Sequence, residues 1–337
     1  MRVLVTGGTG FVGSHTVAAL LGRGHEVRVL VRRPERLPGL LRALGIDVDA
    51  VETAAGDMTD GRAVAAALSG CDAVVHAAAE IGVAGAAGPT GTANVEGVRQ
   101  VVGRAVQLGL DPVIYTSTIA VHLPTDDPVI TLDTPLAEPL SAYGRAKRDA
   151  ELLVREWQAG QAPVTSFVIG GVYGPVSPHV DGSFAALKGA LETFMVVTDG
   201  GLGVVDVRDL AQLLAAAVEA GRGPRRYVAG GRFLTWADWT ATLSEAVGRE
   251  VPAHPMTSDE LVVLGRQLDR LRAGGDAVDL PLSEEAAVIM AAGVPTDDTA
   301  TLAELDGSWR PTVDTFRDAV AWLVSEGHLA PQPALPG

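Results

Sequence analysis

Cysteine, aromatic residues, lysine and asparagine are all scarce in this 337-residue chain. The single cysteine, Cys71, excludes an internal disulfide framework and a cysteine-rich zinc module, and no histidine pairs with another at metal-ligand spacing. We therefore expect no metal site. Phe, Tyr and Trp number only 6, 4 and 5, so small and branched aliphatic side chains must fill most of the core.

Long apolar runs and an excess of positive charge are also absent. No run approaches the roughly 18 residues of a membrane span, and the chain passes from Met1 through a short strand into glycines, without room for a signal-peptide core. The net charge of −15 disfavours a nucleic-acid partner held by phosphate contacts. We expect a soluble, cytoplasmic protein with neither a membrane nor a nucleic-acid partner.

Short apolar runs alternate with longer helical patterns over the first 170 residues. This alternation predicts right-handed βαβ crossovers and a doubly wound α/β fold with a parallel Rossmann sheet. The predicted strands are Arg2–Val5, Glu26–Val31, one within Val48–Ala55, Ala73–Ala77, Pro112–Ser117 and Val164–Ile169. The predicted helices between them are Phe11–Arg23, Gly61–Leu68, Thr92–Leu108 and Ala142–Gln158.

The pattern changes after Ile169, where helical segments predominate. Residues 170–175 are expected to form a loop, and a helix is expected to open at Val204 and run to about Ala220. Further expected elements are a strand, Arg226–Ala229, and the helices Thr235–Val247, Ser258–Ala273, Glu284–Ala292 and Val313–Glu326. We expect a dinucleotide-binding domain over 1–168 and 201–229, a smaller, mostly helical cap over 169–200 and 230–329, and a frayed tail over 330–337.

A glycine-rich turn follows the first strand and opens the first helix. Gly7 permits a tight turn, Gly10 lets the backbone approach a pyrophosphate, and Gly13 lets the helix lie close to the sheet. The spacing alone is weak evidence, but the strand–turn–helix context predicts a dinucleotide site. The expected cofactor contacts in this turn are Gly7, Thr9, Gly10, Phe11, Val12 and Gly13.

Two arginines, Arg32 and Arg33, follow the second strand. In dinucleotide folds an acid at this point binds the adenosine ribose 2′-OH, whereas arginine accommodates a 2′-phosphate. The pair therefore favours NADP(H), with NAD as the alternative cofactor. A solvated basic loop is the competing interpretation, because all cations except Lys147 and Lys188 are arginine in this chain.

Tyr143 and Lys147 stand four residues apart at the start of a predicted helix, which places both side chains on one face. A tyrosine is a poor acid–base catalyst near neutral pH unless a cation stabilises its phenolate. A lysine one turn away supplies that cation, and its compact head also suits ribose hydroxyls. With so few tyrosines and lysines in the chain, chance placement is a poor explanation, and the pair indicates catalysis.

Two polar features accompany this pair. The run Thr116–Thr118 lies at the carboxyl end of a predicted strand, where open α/β sheets bind ligands, so its hydroxyls could hold a substrate carbonyl or cap their own backbone. Asn94, the only asparagine, lies in a predicted helix, where asparagine is a mediocre helix former. It has either a specific amide role or that of an ordinary polar helix residue.

Together these motifs resemble the extended short-chain dehydrogenase/reductase family, in its branch of nucleotide-sugar epimerases and dihydroflavonol-reductase-like enzymes. The similarity extends over nearly the whole chain and includes the runs Thr6–Gly13, Gly56–Met58, Val74–Ala79, Asn94–Gly97, Thr116–Thr118, Tyr143–Lys147, Val172–Pro175 and Val205–Leu210. It implies that Thr118 takes the place of the catalytic serine, that Asn94 belongs to a proton relay and that Asp57 bonds the adenine amine. The cofactor contacts that it adds are Asp57, Met58, Ala77, Ala78, Ala79, Tyr143, Lys147 and Val172.

The sequence departs from the family pattern near the catalytic hydroxyl. Thr118 replaces the usual serine and adds a methyl group, and Ile169-Gly170 replaces an arginine-proline pair before the Val172–Pro175 loop. Ile119 and Ala120 occupy the places where sugar 4,6-dehydratases carry carboxylates. These replacements argue against a dehydratase and weakly against a nucleotide-sugar substrate.

The leading hypothesis is an NADP(H)-dependent carbonyl reductase or alcohol dehydrogenase for a small or medium-sized organic substrate. Tyr143 would act as acid–base, Lys147 would support it, Thr118 would bind the carbonyl oxygen and Asn94 would relay protons. The alternatives are a nucleotide-sugar epimerase that retains NAD and a non-catalytic NAD(P)-sensing regulator. The family resemblance also implies a possible homodimer through the helices that carry Asn94 and Lys147.

Overall fold

The chain folds around parallel β-strands that are covered by helices. The computed structural model describes residues 1–79, 91–140, 142–180, 182–276, 278, 280 and 282–331, with only the backbone at 142 and 143. The strands are β1 (Arg2–Thr6), β2 (Glu26–Val31), β3 (Val51–Ala55), β4 (Ala73–His76), β5 (Val113–Thr118), β6 (Val164–Ile169), β7 (Gly171–Tyr173), β8 (Met195–Val197), β9 (Gly201–Asp206), β10 (Arg225–Ala229), β11 (Arg232–Thr235) and β12 (Ala253–Pro255). The predicted tail lies outside the described residues from position 332 onward.

The helices alternate with these strands in the first half of the chain and predominate in the second. They are α1 (Phe11–Gly22), α2 (Leu37–Ala43), α3 (Gly61–Leu68), α4 (Thr92–Val98), α5 (Arg104–Gln107), α6 (Ala142–Ala159), α7 (Ser183–Glu192), α8 (Val207–Ala216), α9 (Trp236–Val247), α10 (Ser258–Ala273), α11 (Glu284–Ala292), α12 (Thr299–Glu304) and α13 (Thr312–Ser325). None of these described helices is long and apolar enough to cross a membrane.

The central sheet has seven strands in the order β10-β6-β5-β4-β1-β2-β3, and each neighbouring pair is parallel. Val3, Leu4 and Val5 of β1 are fully buried, as expected for a parallel strand with helices on both faces. The cores on the two faces consist mainly of valine, leucine and alanine, which confirms that aliphatic side chains do most of the packing. The predicted doubly wound α/β fold is confirmed.

The direction of chain progression through the sheet reverses between β1 and β4, which are neighbours although β2 and β3 separate them in sequence. Such a reversal opens a crevice at the carboxyl ends of the strands, and open α/β sheets bind ligands there. The fold therefore places the glycine-rich turn after β1 and the segment after β4 on the two sides of one crevice.

A second layer, formed by the C-terminal half, contains two small sheets, β11-β9-β7 and β12-β8. Much of the chain's small aromatic content is concentrated here, where Tyr173, Trp239 and Phe316 pack edge-to-face or tilted with ring centroids 5.2–6.5 Å apart. Trp236 and Trp239, which are adjacent on one helical face, are both buried in this core. Helix α10 packs against α11 beside it.

The structure corrects the sequence-based prediction between residues 170 and 220. The expected loop contains β7, and the expected helix from Val204 is a strand, β9, as far as Asp206. Helix α8 begins only at Val207, because the Asp206 carboxylate caps it by accepting a hydrogen bond from the Arg208 backbone N–H at 2.9 Å. Strand β9 lies in the small sheet β11-β9-β7, whereas β10 is the edge strand of the central sheet. The predicted division into two domains stays a prediction.

The predicted helix Thr92–Leu108 is interrupted. Between α4 and α5 the chain forms a π-helical turn, Arg99–Gly103, and the helical run ends at Gln107. Gly103, at the end of this turn, lies so close to Trp157 of α6 that a Cβ would come within 3.0 Å of its ring. The π-helical turn therefore ends at the residue that packs against the Trp157 ring of α6.

Candidate active site

The turn after β1 folds back tightly against the end of β4. Gly7 has φ +76°, and a Cβ there would come within 2.7 Å of the backbone of Ala77 and Ala78. The Gly10 N–H donates to the Gly7 carbonyl at 2.8 Å, which closes the turn. Only glycine meets both requirements at position 7, the left-handed backbone and the close approach.

Helix α1 presents free backbone donors to this turn. Its N-cap is Gly10, and no side chain caps the first N–H groups among the described residues. A Cβ at Gly13 would overlap the Gly7 carbonyl oxygen, so its absence lets the helix lie directly against the turn. Uncapped N–H groups and the positive end of the helix dipole together favour an anion such as a pyrophosphate.

A cleft of about 450 Å³ runs from the end of β2, past this turn, to the segment after β6. Its volume lies within the range of about 300–1,000 Å³ that is typical of ligand sites. Most of the predicted cofactor contacts line it: Gly7, Thr9, Gly10, Phe11, Val12, Gly13, Arg32, Asp57, Met58, Ala77, Ala78, Ala79 and Val172. The glycine cradle and the uncapped helix fit a dinucleotide.

Arg32 and Asp57 face each other at the β2 end of this cleft. The Arg32 Nε lies 3.9 Å from Asp57 Oδ2, and the Arg32 side chain is 68% exposed. Asp57 Oδ1 accepts hydrogen bonds from the Thr59 hydroxyl and backbone N–H, and the hydroxyl bond chiefly lowers the pKa of this carboxyl. Arg33 is exposed and is not among the described residues that line the cleft, so its cofactor role stays a prediction.

His76 ends β4 below the cleft and is fully buried. Its Nδ1 is 2.7 Å from the Thr6 hydroxyl, and its ring stacks on Tyr115. Burial, with a smaller contribution from the charge of Lys147, lowers the pKa of His76 to about 3. The imidazole is therefore neutral near pH 7 and lies in the buried core directly before the cleft residues Ala77 to Ala79.

A second, smaller cavity of about 120 Å³ brings Thr118 and Lys147 together. Thr118 ends β5, and its Oγ accepts a hydrogen bond from the Ala120 N–H at 3.2 Å, which leaves the hydroxyl proton available for a substrate oxygen. Burial lowers the pKa of the Lys147 ammonium to about 8. Tyr143 lies in the first turn of α6, one turn before Lys147, and its side chain is outside the described part of the structure.

Asn94 is buried in α4, which packs against α6. It is not among the described residues that line either cavity. The proton-relay role of Asn94 stays a prediction.

Two groups of cavity residues were not predicted from the sequence. Ser177, His179 and Phe184 close one side of the large cleft, and Glu285 and Ile289 of α11 close the small cavity. The first group belongs to no motif that could have indicated it. Glu285, Val288 and Ile289 share one helical face by their i, i+3 and i+4 spacing, but this pattern does not identify what the face covers.

Comparisons with known proteins agree with this geometry. Residues 3–230 match the family model described as NAD dependent epimerase/dehydratase family. A 3-beta-hydroxysteroid dehydrogenase of Mycolicibacterium neoaurum is 39% identical over 133 residues, which are 37% of this chain and 34% of that protein. This chain therefore spans about a third of the length of the hydroxysteroid dehydrogenases that it matches first.

Two relatives align along their whole length. Sterol demethylase protein B of Methylococcus capsulatus is 27% identical over 335 residues, covering 98% of this chain and 100% of that protein. A double mutant of a dTDP-glucose 4,6-dehydratase from Streptomyces venezuelae, solved with NAD bound, superposes with a TM-score of 0.72 and 25% identity, covering 99% and 100% of the two chains. Similarity over the full length shows that the second layer, like the Rossmann sheet, belongs to the shared fold.

Proposed function

This chain belongs to the NAD dependent epimerase/dehydratase family of oxidoreductase-type enzymes, and we propose that it is an NADP(H)-dependent carbonyl reductase or alcohol dehydrogenase. One observation carries the proposal: Thr118 and Lys147 line one small, mainly apolar cavity at the carboxyl edge of the sheet that also bears the dinucleotide cleft. Its substrate is a small or medium-sized organic carbonyl compound or the corresponding alcohol.

When bound, the nicotinamide supplies or accepts the hydride. Thr118 holds the substrate carbonyl oxygen by donating its hydroxyl proton, and Tyr143 delivers a proton to the same oxygen during reduction. Lys147 stabilises the phenolate that remains and binds the nicotinamide ribose. Burial lowers its pKa to about 8, so the ammonium that this role requires is still mostly protonated at pH 7. We propose that Asn94 returns protons from solvent.

The NADP(H) preference rests on Arg32. It is the one lysine or arginine among the described residues that line the large cleft, and it lies where β2 ends. A guanidinium at this point can form charge-assisted hydrogen bonds with a 2′-phosphate. Asp57 lies close enough to attract the same guanidinium, so a 2′-phosphate must compete with it for Arg32.

Sugar dehydration is disfavoured by the cavity itself. Ala120, one of the two residues that replace the dehydratase carboxylates, lies in its wall and has no acid–base group. Epimerisation remains the second candidate, because it would use the same tyrosine and lysine with a retained NAD.

The direct test is an absorbance assay of purified protein with NADPH and a panel of ketones and aldehydes. The proposal predicts a steady, substrate-dependent loss of reduced-nicotinamide absorbance. Protein that carries NAD through purification and catalyses no net change in absorbance with any carbonyl compound would favour the epimerase and contradict the reductase.

A further inference from the structure

We propose that Glu285 is a specificity-determining residue that selects uncharged carbonyl substrates bearing a hydrogen-bond donor, such as a hydroxyl group, and rejects anionic ones. The inference rests on the proposed reductase function and names its substrate class. It assigns a role to α11, a helix of the second layer that no catalytic or cofactor motif includes.

Helix α11 forms one wall of the small cavity that contains Thr118 and Lys147. Glu285, Val288 and Ile289 stand one turn apart on the same face and all line the cavity. The rest of the lining is also largely apolar and includes Val121, Leu123 and Leu140. A substrate therefore meets an apolar surface in which the Glu285 carboxylate is one of few polar groups.

The cavity is shaped to hold that carboxylate. Gly144, in the first turn of α6, lies beneath it, because a Cβ at Gly144 would overlap Glu285 Oε1 and lie 2.8 Å from Pro139 Cβ. The first turn of a helix is the positive end of its dipole, which favours a carboxylate. Glu285 is thus placed at the start of the helix that carries both Tyr143 and Lys147.

Glu138 is the other acid in the cavity wall. Glu138 is 83% exposed and pairs with Arg148 at 2.6 Å, so its charge is screened and neutralised outside the cavity. No arginine is among the described residues that line the cavity, and Lys147 is its only described cation. The Glu285 carboxylate would repel the phosphates of nucleotide sugars and coenzyme A thioesters where they approach α11.

The volume of the cavity also limits the size of the reacting end of the substrate. The volume of about 120 Å³ is well below the roughly 300–1,000 Å³ of pockets that enclose drug-sized ligands. A compact carbonyl group with one donor a few bonds away fits such a space. A carboxylate that accepts from this donor forms a charge-assisted hydrogen bond, and such a bond is worth about tenfold or more in affinity.

The test compares two ketones of equal size, 4-hydroxybutan-2-one and pentan-2-one, with acetoacetate as the anionic analogue. With NADPH, we expect kcat/KM to be about tenfold or more higher for the hydroxyketone than for pentan-2-one, and lowest for acetoacetate. Glu285→Leu should abolish the preference for the hydroxyketone, and Glu285→Gln should reduce it and admit acetoacetate.

Glu284→Gln is the matched control. Glu284 precedes Glu285 on α11 but pairs with Arg266 at 2.7 Å and does not line the cavity among the described residues. The same loss of one charge at this position should leave the hydroxyketone-to-pentanone ratio unchanged. An equal change in both variants would mean that the net charge matters and Glu285 does not.

A binding measurement separates this inference from the proposed function. Saturation-transfer NMR of the NADP⁺-loaded protein should show stronger binding of butane-1,3-diol than of pentan-2-ol, and Glu285→Leu should remove the difference. Turnover of both ketones with equal kcat/KM and no effect of Glu285→Leu overturns the role of Glu285 and leaves the reductase intact. Differential binding without turnover of any ketone overturns the reductase and leaves the role of Glu285 intact.

Discussion

Lys147 shows how the fold changes the chemistry of a single residue. The lysine reaches the small cavity beside Thr118, and burial brings the pKa of its ammonium from 10.5 to about 8. The charge that stabilises a phenolate at Tyr143 is therefore present below about pH 8 and is lost as the pH rises through that value. In the proposed mechanism, ketone reduction depends on this charge.

The first prediction concerns the pH profile of Lys147→Arg. Wild-type kcat/KM for ketone reduction should fall as the pH rises above about 8, because the ammonium deprotonates. Arginine stays protonated, so the variant should lose this alkaline fall. Its activity at pH 7 should nevertheless be lower by about tenfold or more, because a planar guanidinium does not reproduce the ammonium contacts. A variant with wild-type rate and profile would show that any cation suffices.

The second prediction concerns Tyr143→Phe, which removes the proton donor and little else. We expect kcat to fall by about 10²–10⁴-fold, while NADPH affinity measured by fluorescence titration changes by no more than a few fold. Near-normal turnover would remove Tyr143 from the acid–base role.

Local spacing explains which site residues the sequence could predict. The glycines from Gly7 to Gly13 lie within seven residues, and Tyr143 and Lys147 lie within five. Because each motif is contained in one short segment, its spacing alone predicts its function. Glu285 and Lys147 line one cavity only because the tertiary fold brings α11 to the first turn of α6, and no local pattern indicates this. Arg33 is exposed, directly before the short 3₁₀ turn Pro34–Arg36, and its cofactor role stays a prediction.

At the level of elements, the junction between β10 and β11 joins the central sheet to a small sheet of the second layer. Asp298 fixes this junction, with Oδ1 accepting from the Gly230 N–H at 3.0 Å and from the Thr296 hydroxyl at 2.8 Å. Its Oδ2 accepts from the Gly231 N–H at 2.7 Å and from the Trp309 indole at 3.0 Å. The residue is buried, and burial raises the pKa of its carboxyl.

The third prediction follows from this set of donors. In Asp298→Asn the amide NH₂ must face two hydrogen-bond donors, so we expect the free energy of unfolding in urea to fall by about 1–3 kcal/mol. Asp297→Asn is the matched control, because the Asp297 side chain is exposed and accepts only from Thr299 among the described residues. Equal stability of Asp298→Asn and wild type would show that the four hydrogen bonds do not hold the junction.

Elements were predictable where a regular pattern ran long enough. The strands β2 and β6 and the helices α3, α10 and α11 match their predicted bounds, because apolar periodicity and end signals agree there. The small sheets could not be predicted, because β7 has only three residues, β9 contains two glycines and their pairing joins distant segments. Asp206 ends β9 and caps α8, and the sequence alone shows only the helical part of that pattern.

At the scale of the whole molecule, a net charge of −15 opposes the binding of any anionic cofactor. This general repulsion acts on NADH and NADPH alike, apart from the additional phosphate. A preference for NADPH therefore requires a local cation, and Arg32 is placed for it at the end of the cleft.

The fourth prediction separates the effect of Arg32 on cofactor preference from the effect of the net charge. NADPH should bind about tenfold more tightly than NADH at low salt, and higher ionic strength should narrow the gap. Arg32→Asp should erase or reverse the preference, measured by fluorescence titration. Arg33→Asp changes the net charge by the same amount at an exposed position, and its effect should be smaller. Equal effects of the two variants would show that Arg32 is not the specific contact of the 2′-phosphate.

The central claim is that NADPH binds, transfers a hydride to a carbonyl carbon and leaves as NADP⁺. Isotope transfer tests this claim most directly. NADPH deuterated at C4 of the nicotinamide, on each face in separate reactions, is incubated with 4-hydroxybutan-2-one, and the product is analysed by NMR. The account predicts one deuterium on the new carbinol carbon from one of the two faces, with stoichiometric release of NADP⁺. A protein that binds the cofactor but never transfers deuterium to this or any other carbonyl compound would contradict it.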